Sequence, residues 1–250
     1  MSNLIKSIQS KIAALKGSNK KTIDNLTKSD PDSPEARRQR SIDKLESMGI
    51  AYTYNLPLIE SADEVTMRPF EDICKRAAAC LFAVQLACDI SQGNGYKDSK
   101  EFFSKLLEHY GVSDCLILKE KLLFDNNFTE QDIVDITWTY ECYWVLVWAL
   151  GLIEDMGEPT VCCDCEKAVR LLSTCNDMEE FESKCRLRDI NEILDVLDLY
   201  YRYHWACVNK RIAPDTPING INPSVVTERR RGLEWLISDE DDWNDISLDT

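Results

Sequence analysis

One stretch near the C-terminus constrains the fold of this chain more than any other. Apolar side chains and one histidine recur there at alternating spacings of three and four. They are Leu187, Ile190, Leu194, Leu197, Tyr201, His204 and Val208. This spacing places all of them on one face of an α-helix. The pattern is too short for a free coiled coil, so it predicts one seam of a helical bundle.

A second helix is predicted to lie at the centre of that bundle. Thr129 is its expected N-cap, and we expect one long helix from there to the stop at Gly157 and Pro159. It contains the tryptophans Trp138, Trp144 and Trp148. Its second half is apolar nearly all round, which is typical of a buried helix. The uncharged run within it, Cys142–Ile153, is too short to cross a bilayer.

Helix signals dominate most of the remaining chain. Ser33 and Pro34 begin one helix that Gly49 ends, and Pro69 begins another that ends at Gln92–Gly95. Further helices are expected around Phe102–Tyr110, Cys115–Phe124, Cys165–Ser173 and Met178–Lys184, and from Ser224 or Thr227 to about Ile237. Only the segment IAYTYNLPLI alternates like a strand. The sequence therefore predicts an all-α, multi-helix, bundle-like domain with at most one short strand-like segment.

The N-terminus differs from this body. An apolar stripe opposite lysines predicts a basic amphipathic helix, followed by a polar linker, over residues 1–32. We expect the all-helical domain to span residues 33–250. Two interpretations of the terminal helix stay open: it docks on the domain or a protein partner, or it contacts a membrane surface.

The net charge of the chain limits the classes of partner that we expect it to bind. The formal net charge is −15, and because residues 1–44 contribute +5, the rest of the chain carries −20. Such a body repels phosphate backbones, so nucleic-acid binding is not expected. A basic protein partner suits an acidic surface better.

Cysteine usage indicates free thiols in the cytoplasm. There are eleven cysteines, an odd number, and most lie within apolar helical patterns without a visible leader sequence. Cys162 and Cys165 have the spacing of zinc ligands, but no second pair accompanies them, so no metal is predicted. Phosphate-binding glycine loops and other cofactor motifs are also missing, and we predict no cofactor.

Charged residues in the C-terminal third form the one candidate site. On the seam helix, Asp195, Asp198 and Arg202 follow one another at spacings of three and four, and the last two form an i, i+4 pair. Four charges, Glu228, Arg229, Arg230 and Arg231, open the last helix. Four consecutive helix positions point to different sides, so at least one charge is expected to face inward and to need a partner.

Two parts of the sequence contain aspartates that are candidate partners for an inward-facing arginine. We expect Arg229 or Arg230 to reach Asp195 or Asp198, with Asp245 and Asp249 of the acidic tail as alternatives, and the WNDISLDT tail to fold back over the pair. Two interpretations stay open. The cluster is a structural ion network, or together with His204 it forms a polar pocket.

Several segments together resemble a known family. They are FTEQDIVDITWTYECYWVLVWALGLIEDMGEP, LRDINEILDVLDLYYRYHWACVN, VVTERRRGLEWL and WNDISLDT, with RQRSIDKLESMGI and RPFEDICKRAAA in the N-terminal half. This combination is similar to the bacterial domain-of-unknown-function family 4272, over about residues 37–250. The positions that depart from the family-like pattern ERRYALNWL include Arg231 and Gly232. The resemblance implies an α-helical bacterial protein and supplies no reaction, substrate or catalytic residue.

Two functions are compatible with these observations. The first is a cytosolic, non-enzymatic binding or accessory protein with an acidic surface, such as an immunity protein that neutralises a basic toxin. The second is an enzyme with a polar site around Asp198, Arg202, His204, Glu228 and Arg230. The shape of the site distinguishes these two functions. An open pocket favours the enzyme, whereas side chains that are sealed and paired with one another favour the binding protein.

Overall fold

The fold is all-helical, as the sequence predicts. The structure, a computed structural model, describes residues 30–250, and no strand occurs within that range. The amphipathic helix expected near the N-terminus lies outside the described residues, as does most of the linker. In chain order the helices are α1 Pro34–Met48, α2 Phe70–Ser91, α3 Tyr96–His109, α4 Leu118–Phe124, α5 Glu130–Trp138, α6 Tyr140–Ala149, α7 Cys165–Ser173, α8 Met178–Lys184, α9 Ile190–Ile212 and α10 Pro223–Trp235.

Local capping chemistry explains several of these boundaries. The hydroxyl of Ser33 accepts the N–H of Ala36 at the start of α1, and Gly49 ends it with a φ of 67°. Thr129 and Asp132 form a reciprocal capping box at the start of α5. These short-range signals satisfy backbone groups that a helix end leaves without partners, and for that reason the sequence reveals them.

The prediction of one long helix from Thr129 onward is wrong, because the structure divides this segment into α5 and α6. At the break, the hydroxyl of Thr139 donates to the carbonyl of Ile136 at 2.7 Å, a local bond that competes with helix continuation. The second part also ends early, at Ala149. There the carbonyls of Ala149 and Leu150 accept backbone N–H groups of Arg188 and Arg186, which replace the next helical turn.

Gly151 allows this early termination. Its φ is +70°, and a Cβ atom there would lie 2.6 Å from the carbonyl oxygen of Arg186. Only glycine fits a left-handed backbone conformation with another backbone so close.

The last helix also begins earlier than expected. Pro223 is its first residue, and the side chain of Asn222 accepts the N–H of Ser224 at 3.0 Å as the N-cap. The expected starts at Ser224 or Thr227 are therefore wrong, and the helix ends at Trp235 rather than near Ile237. The segment at residues 50–59 forms no strand and is interrupted by a turn at Tyr54 and Asn55.

Helix α6 occupies the interior. All ten of its residues are buried, and it packs against α2, α5, α7 and α10. On its far side, α10 packs against α9, and α9 in turn packs against α1. Gly232 lets α10 approach α6 closely, since a Cβ there would lie 3.2 Å from Cα of Cys142. No helix among residues 30–250 is both long and apolar enough to span a membrane.

The seam of α9 and the tryptophans of α6 lie in one core, as predicted. Trp144, Trp148, Leu194, Leu197 and Tyr201 are all buried members of the same apolar cluster. Burial extends beyond the seam, because Tyr200, Tyr203 and Ala206 on other faces of α9 are buried as well.

Truncation of this core should be costly. Leu197 is fully buried, so Leu197→Ala is expected to lower the free energy of unfolding by about 3 kcal/mol, through lost transfer energy and the cavity left behind. Ile212, at the end of the same helix, is 78% exposed and provides the matched control, with an expected change below about 0.5 kcal/mol. Urea denaturation measures both, and equal effects would show that α9 is not held as described.

Candidate functional site

The predicted polar cluster is divided among separate ion pairs. Asp198 and Arg202 form a bidentate pair within α9, with both N···O distances at 2.8 Å and both side chains fully buried. This confirms the i, i+4 pair expected from the sequence. Nη1 of Arg202 is buried and has no hydrogen-bond partner among residues 30–250.

Asp195 lies on the other side of α9 and contacts α1. Its Oδ1 accepts Nε of Arg37 at 3.2 Å and Nη2 of Arg40 at 2.5 Å. The expectation that Arg229 or Arg230 reaches Asp195 or Asp198 is therefore wrong. Asp198 is already satisfied by its own helix, and Asp195 faces α1 rather than α10.

Arg229 instead joins α10 to the central helix. Its Nε donates to Oε2 of Glu141 at 2.7 Å, and its Nη1 donates to the carbonyl of Gly157 and the hydroxyl of Tyr200. Burial acts to lower the pKa of Arg229, but Tyr200 and Glu141 outweigh it, so the pKa is raised. The second oxygen of Glu141 accepts the N–H of Cys163. This sealed network fixes α6, α9 and α10 relative to one another.

Arg230 holds the C-terminal tail against α9 and α10. Its two Nη atoms donate to the carbonyls of Leu248 and Asp249 at 3.0 and 3.1 Å, and its Nε pairs with Glu234. Its guanidinium lies over the ring of Tyr201, with Cζ 4.6 Å from the ring centroid. Burial lowers the pKa of Arg230, and Glu234 offsets only part of that effect.

The tail folds back, as expected, but its acidic side chains do not anchor it. Trp243 is fully buried, and Arg231 donates to its carbonyl at 3.1 Å. Asp245 and Asp249 are exposed, and Asp249 contributes only a backbone carbonyl. The expectation that these two carboxylates pair with an inward arginine is wrong, because the arginines bind main-chain oxygens instead.

His204 has a defined tautomer in this arrangement. Its Nδ1 lies 2.7 Å from Nη1 of Arg230. A guanidinium can only donate, so Nδ1 accepts and the ring proton lies on Nε2. His204 is 8% exposed, and burial, followed by Arg230, Arg211 and Arg231, lowers its pKa from 6.5 to about 4. His204 is thus a neutral N–H donor near pH 7.

This donor faces a cavity of about 460 Å³ between α9 and α10. One wall is the C-terminal half of α9, where His204, Cys207, Val208 and Arg211 share a face; the opposite wall is the first two turns of α10, and Trp138 and Leu248 complete the lining. The volume lies within the range of about 300–1,000 Å³ typical of small-molecule sites.

Few groups in the cavity are suited to catalysis. Glu228 pairs with Arg231 at 3.2 Å and also accepts the thiol of Cys142. Burial raises the pKa of Cys207 to about 11, so its thiol is neutral near pH 7. His204 presents an N–H rather than a lone pair, so it cannot accept a proton from a nucleophile without breaking its bond to Arg230.

Other candidate positions give no comparable site. A smaller cavity of about 180 Å³ lies beside Tyr200 and Tyr203, away from His204. Within residues 30–250 no three His, Cys, Asp or Glu side chains are gathered as metal ligands. Cys162 and Cys165 are exposed, whereas Cys163 between them is buried.

Sequence reasoning missed several important residues. Glu141 directly precedes the apolar run Cys142–Ile153 and was not expected to form an ion pair, although a lone carboxylate at the start of a buried helix requires a cationic partner. Arg211 and Trp138 were not expected at the candidate site, because the cavity forms only where α5, α9 and α10 meet. Only the i, i+7 relation of His204 to Arg211 was visible beforehand.

The tautomer of His204 leads to a prediction about pH. The unfolded state binds a proton near pH 6.5, whereas the folded state binds one only near pH 4, so stability falls as pH falls through this window. Acidification from pH 7 to 5 should cost about 2 kcal/mol through this residue alone. His204→Gln keeps an acceptor for Arg230 and should lose that share of the pH dependence in urea denaturation. An unchanged pH dependence would contradict the neutral tautomer.

Comparison with known proteins identifies a family and no function. A family model described as a domain of unknown function, DUF4272, matches residues 37–246. No curated protein matches the chain, and no solved structure does.

Proposed function

The chain belongs to the DUF4272 family, whose description states no activity, and we propose that it is a non-enzymatic binding protein that holds a small ligand in the cavity between α9 and α10. The observation that carries this proposal is the bond from Arg230 to His204. It fixes His204 as an N–H donor on the cavity wall, which suits recognition rather than proton abstraction.

The ion pairs support binding over catalysis as well. Asp198 and Arg202, which an enzyme in this region was expected to use, are fully buried and paired with each other. An enzyme would need an activated nucleophile or base on the cavity wall. Among the residues of the cavity wall, His204 is the candidate base and Cys207 is the candidate nucleophile. Neither is in the protonation state that catalysis requires near pH 7.

A screen of small fragments tests this function. We propose ligand-detected NMR with a mixture of neutral, cationic and anionic aromatic fragments. Val208→Phe places a bulky ring in the cavity, and Val134→Phe, at a valine 47% exposed on α5, is the matched control. At least one fragment should bind the wild type and Val134→Phe but not Val208→Phe. If no fragment depends on the cavity in this way, the proposed function is wrong.

The charge distribution favours a second candidate, docking of a basic protein. Five arginines are buried in residues 30–250 against three buried carboxylates, so the exterior is more acidic than the sequence count indicates. A cytoplasmic, bacterial, immunity-like role would use such a surface. Calorimetric titration with basic proteins encoded beside this gene tests it: binding should weaken between 50 and 300 mM salt. The absence of binding by every such protein at low salt would reject this candidate.

A further inference from the structure

We propose that the cavity between α9 and α10 is an oxyanion site, which takes a small organic molecule through a carboxylate or phosphate group. This inference rests on the proposed function and specifies the ligand class. The reason is the chemistry of the cavity wall, where hydrogen-bond donors and positive charge outnumber acceptors in a protein that is otherwise strongly acidic.

The first donor on the cavity wall is His204. Its Nδ1 is occupied by Arg230, which leaves Nε2–H as the polar group that faces the cavity, and Nε2 has no hydrogen-bond partner among residues 30–250. A ligand oxygen would supply the missing acceptor. An N–H group binds an anionic acceptor more strongly than a neutral one.

Positive charge at the cavity comes from Arg211 and Arg231. Arg231 is partly neutralised, because Glu228 lies 3.2 Å from its Nε. Arg211 is exposed on the same face of α9 as His204, and within residues 30–250 no carboxylate lies at ion-pair distance from it. Two arginines against one carboxylate leave a net positive wall, to which a monoanion or dianion would be attracted.

The N-terminus of α10 also favours an anion in the cavity. Ser224 and Thr227 of its first turns line the cavity, so the positive end of the helix dipole faces the same cavity as the two arginines and the histidine. This contribution is secondary to the side chains, since Asn222 already accepts the N–H of Ser224.

The apolar residues of the cavity wall indicate the chemistry of the rest of the ligand. Trp138 is half-buried at the end of α5, and Leu248 of the tail is half-buried as well. An aromatic ring could pack on Trp138 while its acidic substituent reaches His204 and the arginines. The structure thus favours an aromatic or otherwise apolar acid over a bare inorganic anion.

The test compares three probes of nearly equal size by NMR titration of ¹⁵N-labelled protein in low salt. Phenyl phosphate and benzoate carry the two oxyanions, and benzamide is the neutral counterpart of benzoate. At least one anion should shift amide signals in α9 and α10 and bind at least tenfold more tightly than benzamide. The ratio of the two anion affinities identifies phosphate or carboxylate as the preferred group.

Three variants show whether the charge of the cavity is responsible. Arg211→Gln should weaken anion binding about tenfold, the expected loss for one charged hydrogen bond. Arg211→Lys should restore part of the affinity. Arg186→Gln, at an exposed arginine that does not line the cavity, should change nothing.

The outcomes separate this inference from the proposed function. If benzamide binds as tightly as benzoate, or if Arg211→Gln leaves anion affinity unchanged, the oxyanion inference is wrong and a neutral ligand site remains. If neither anion binds while a neutral fragment binds in the Val208-dependent screen, only the inference fails. If that screen is also negative, both proposals fail.

Discussion

Replacement of Arg229 by leucine is expected to lower the free energy of unfolding by about 4 kcal/mol. The change leaves the carboxylate of Glu141 buried, at 2% side-chain exposure, without its cationic partner. It also removes the donor from the carbonyl of Gly157 and the hydroxyl of Tyr200. An unpaired buried charge typically costs about 3–5 kcal/mol, far more than the intact pair contributes over apolar residues.

Two comparisons make this result specific to the buried pair. Arg170→Leu breaks the exposed pair with Glu166 on α7 and should cost less than about 0.5 kcal/mol. The double variant Glu141→Leu with Arg229→Leu should be more stable than Arg229→Leu alone, since no buried charge is then left. Equal losses for Arg229→Leu and Arg170→Leu in urea denaturation would show that Arg229 is not sealed in the core.

Substitution of Trp243 by alanine should have a similarly large effect, about 4 kcal/mol. Its indole is fully buried, packs edge-to-face on Trp235 with centroids 6.1 Å apart, and lies under the guanidinium of Arg76 at 4.2 Å. Truncation of a buried tryptophan typically costs about 3–5 kcal/mol. Without this anchor, the tail would also lose its position against Arg230 and Arg231.

The same tail contains a suitable control. Asp245 is exposed and its side chain makes no ion pair within residues 30–250, so Asp245→Ala should change the melting temperature little. Deletion of residues 243–250 should destabilise at least as much as Trp243→Ala. A deletion variant with an unchanged melting temperature would mean that the tail is an independent appendage.

Local features of the fold could be predicted from the sequence, and long-range pairings could not. Ser33, Gly49 and Thr129 marked helix ends correctly because capping chemistry involves residues within three or four positions. The bond between Asp198 and Arg202 was accessible for the same reason, as both lie on one helix face. The break at Thr139 was missed because no glycine or proline marks it in the sequence.

The ion pairs between helices depend on packing that no spacing rule reveals. Arg229 and Glu141 are 88 positions apart, and any of several carboxylates appeared equally suitable before the helices were placed. Arg230 was expected to pair with an aspartate, whereas in the structure Arg230 and its neighbour Arg231 donate to main-chain carbonyls of residues 243, 248 and 249. Backbone acceptors are present at every residue, so the sequence cannot single them out.

The candidate site was predictable only in part. His204, Glu228 and Arg231 were named from the sequence and do line the cavity. The remaining named residues either stabilise the helices around it or, like Asp245, face solvent. Arg211 and Trp138 contribute to the cavity because three helices converge there, a consequence of tertiary structure alone.

The side-chain NMR signal of His204 Nε2 tests the central claim most directly. In wild-type protein at pH 7, the spectrum should show a neutral imidazole protonated at Nε2, and added phenyl phosphate or benzoate should shift that signal. The shift at a given ligand concentration should be smaller in Arg211→Gln. A ring protonated at Nδ1, or an Nε2 signal that neither anion moves, would contradict the account of this cavity as a ligand site.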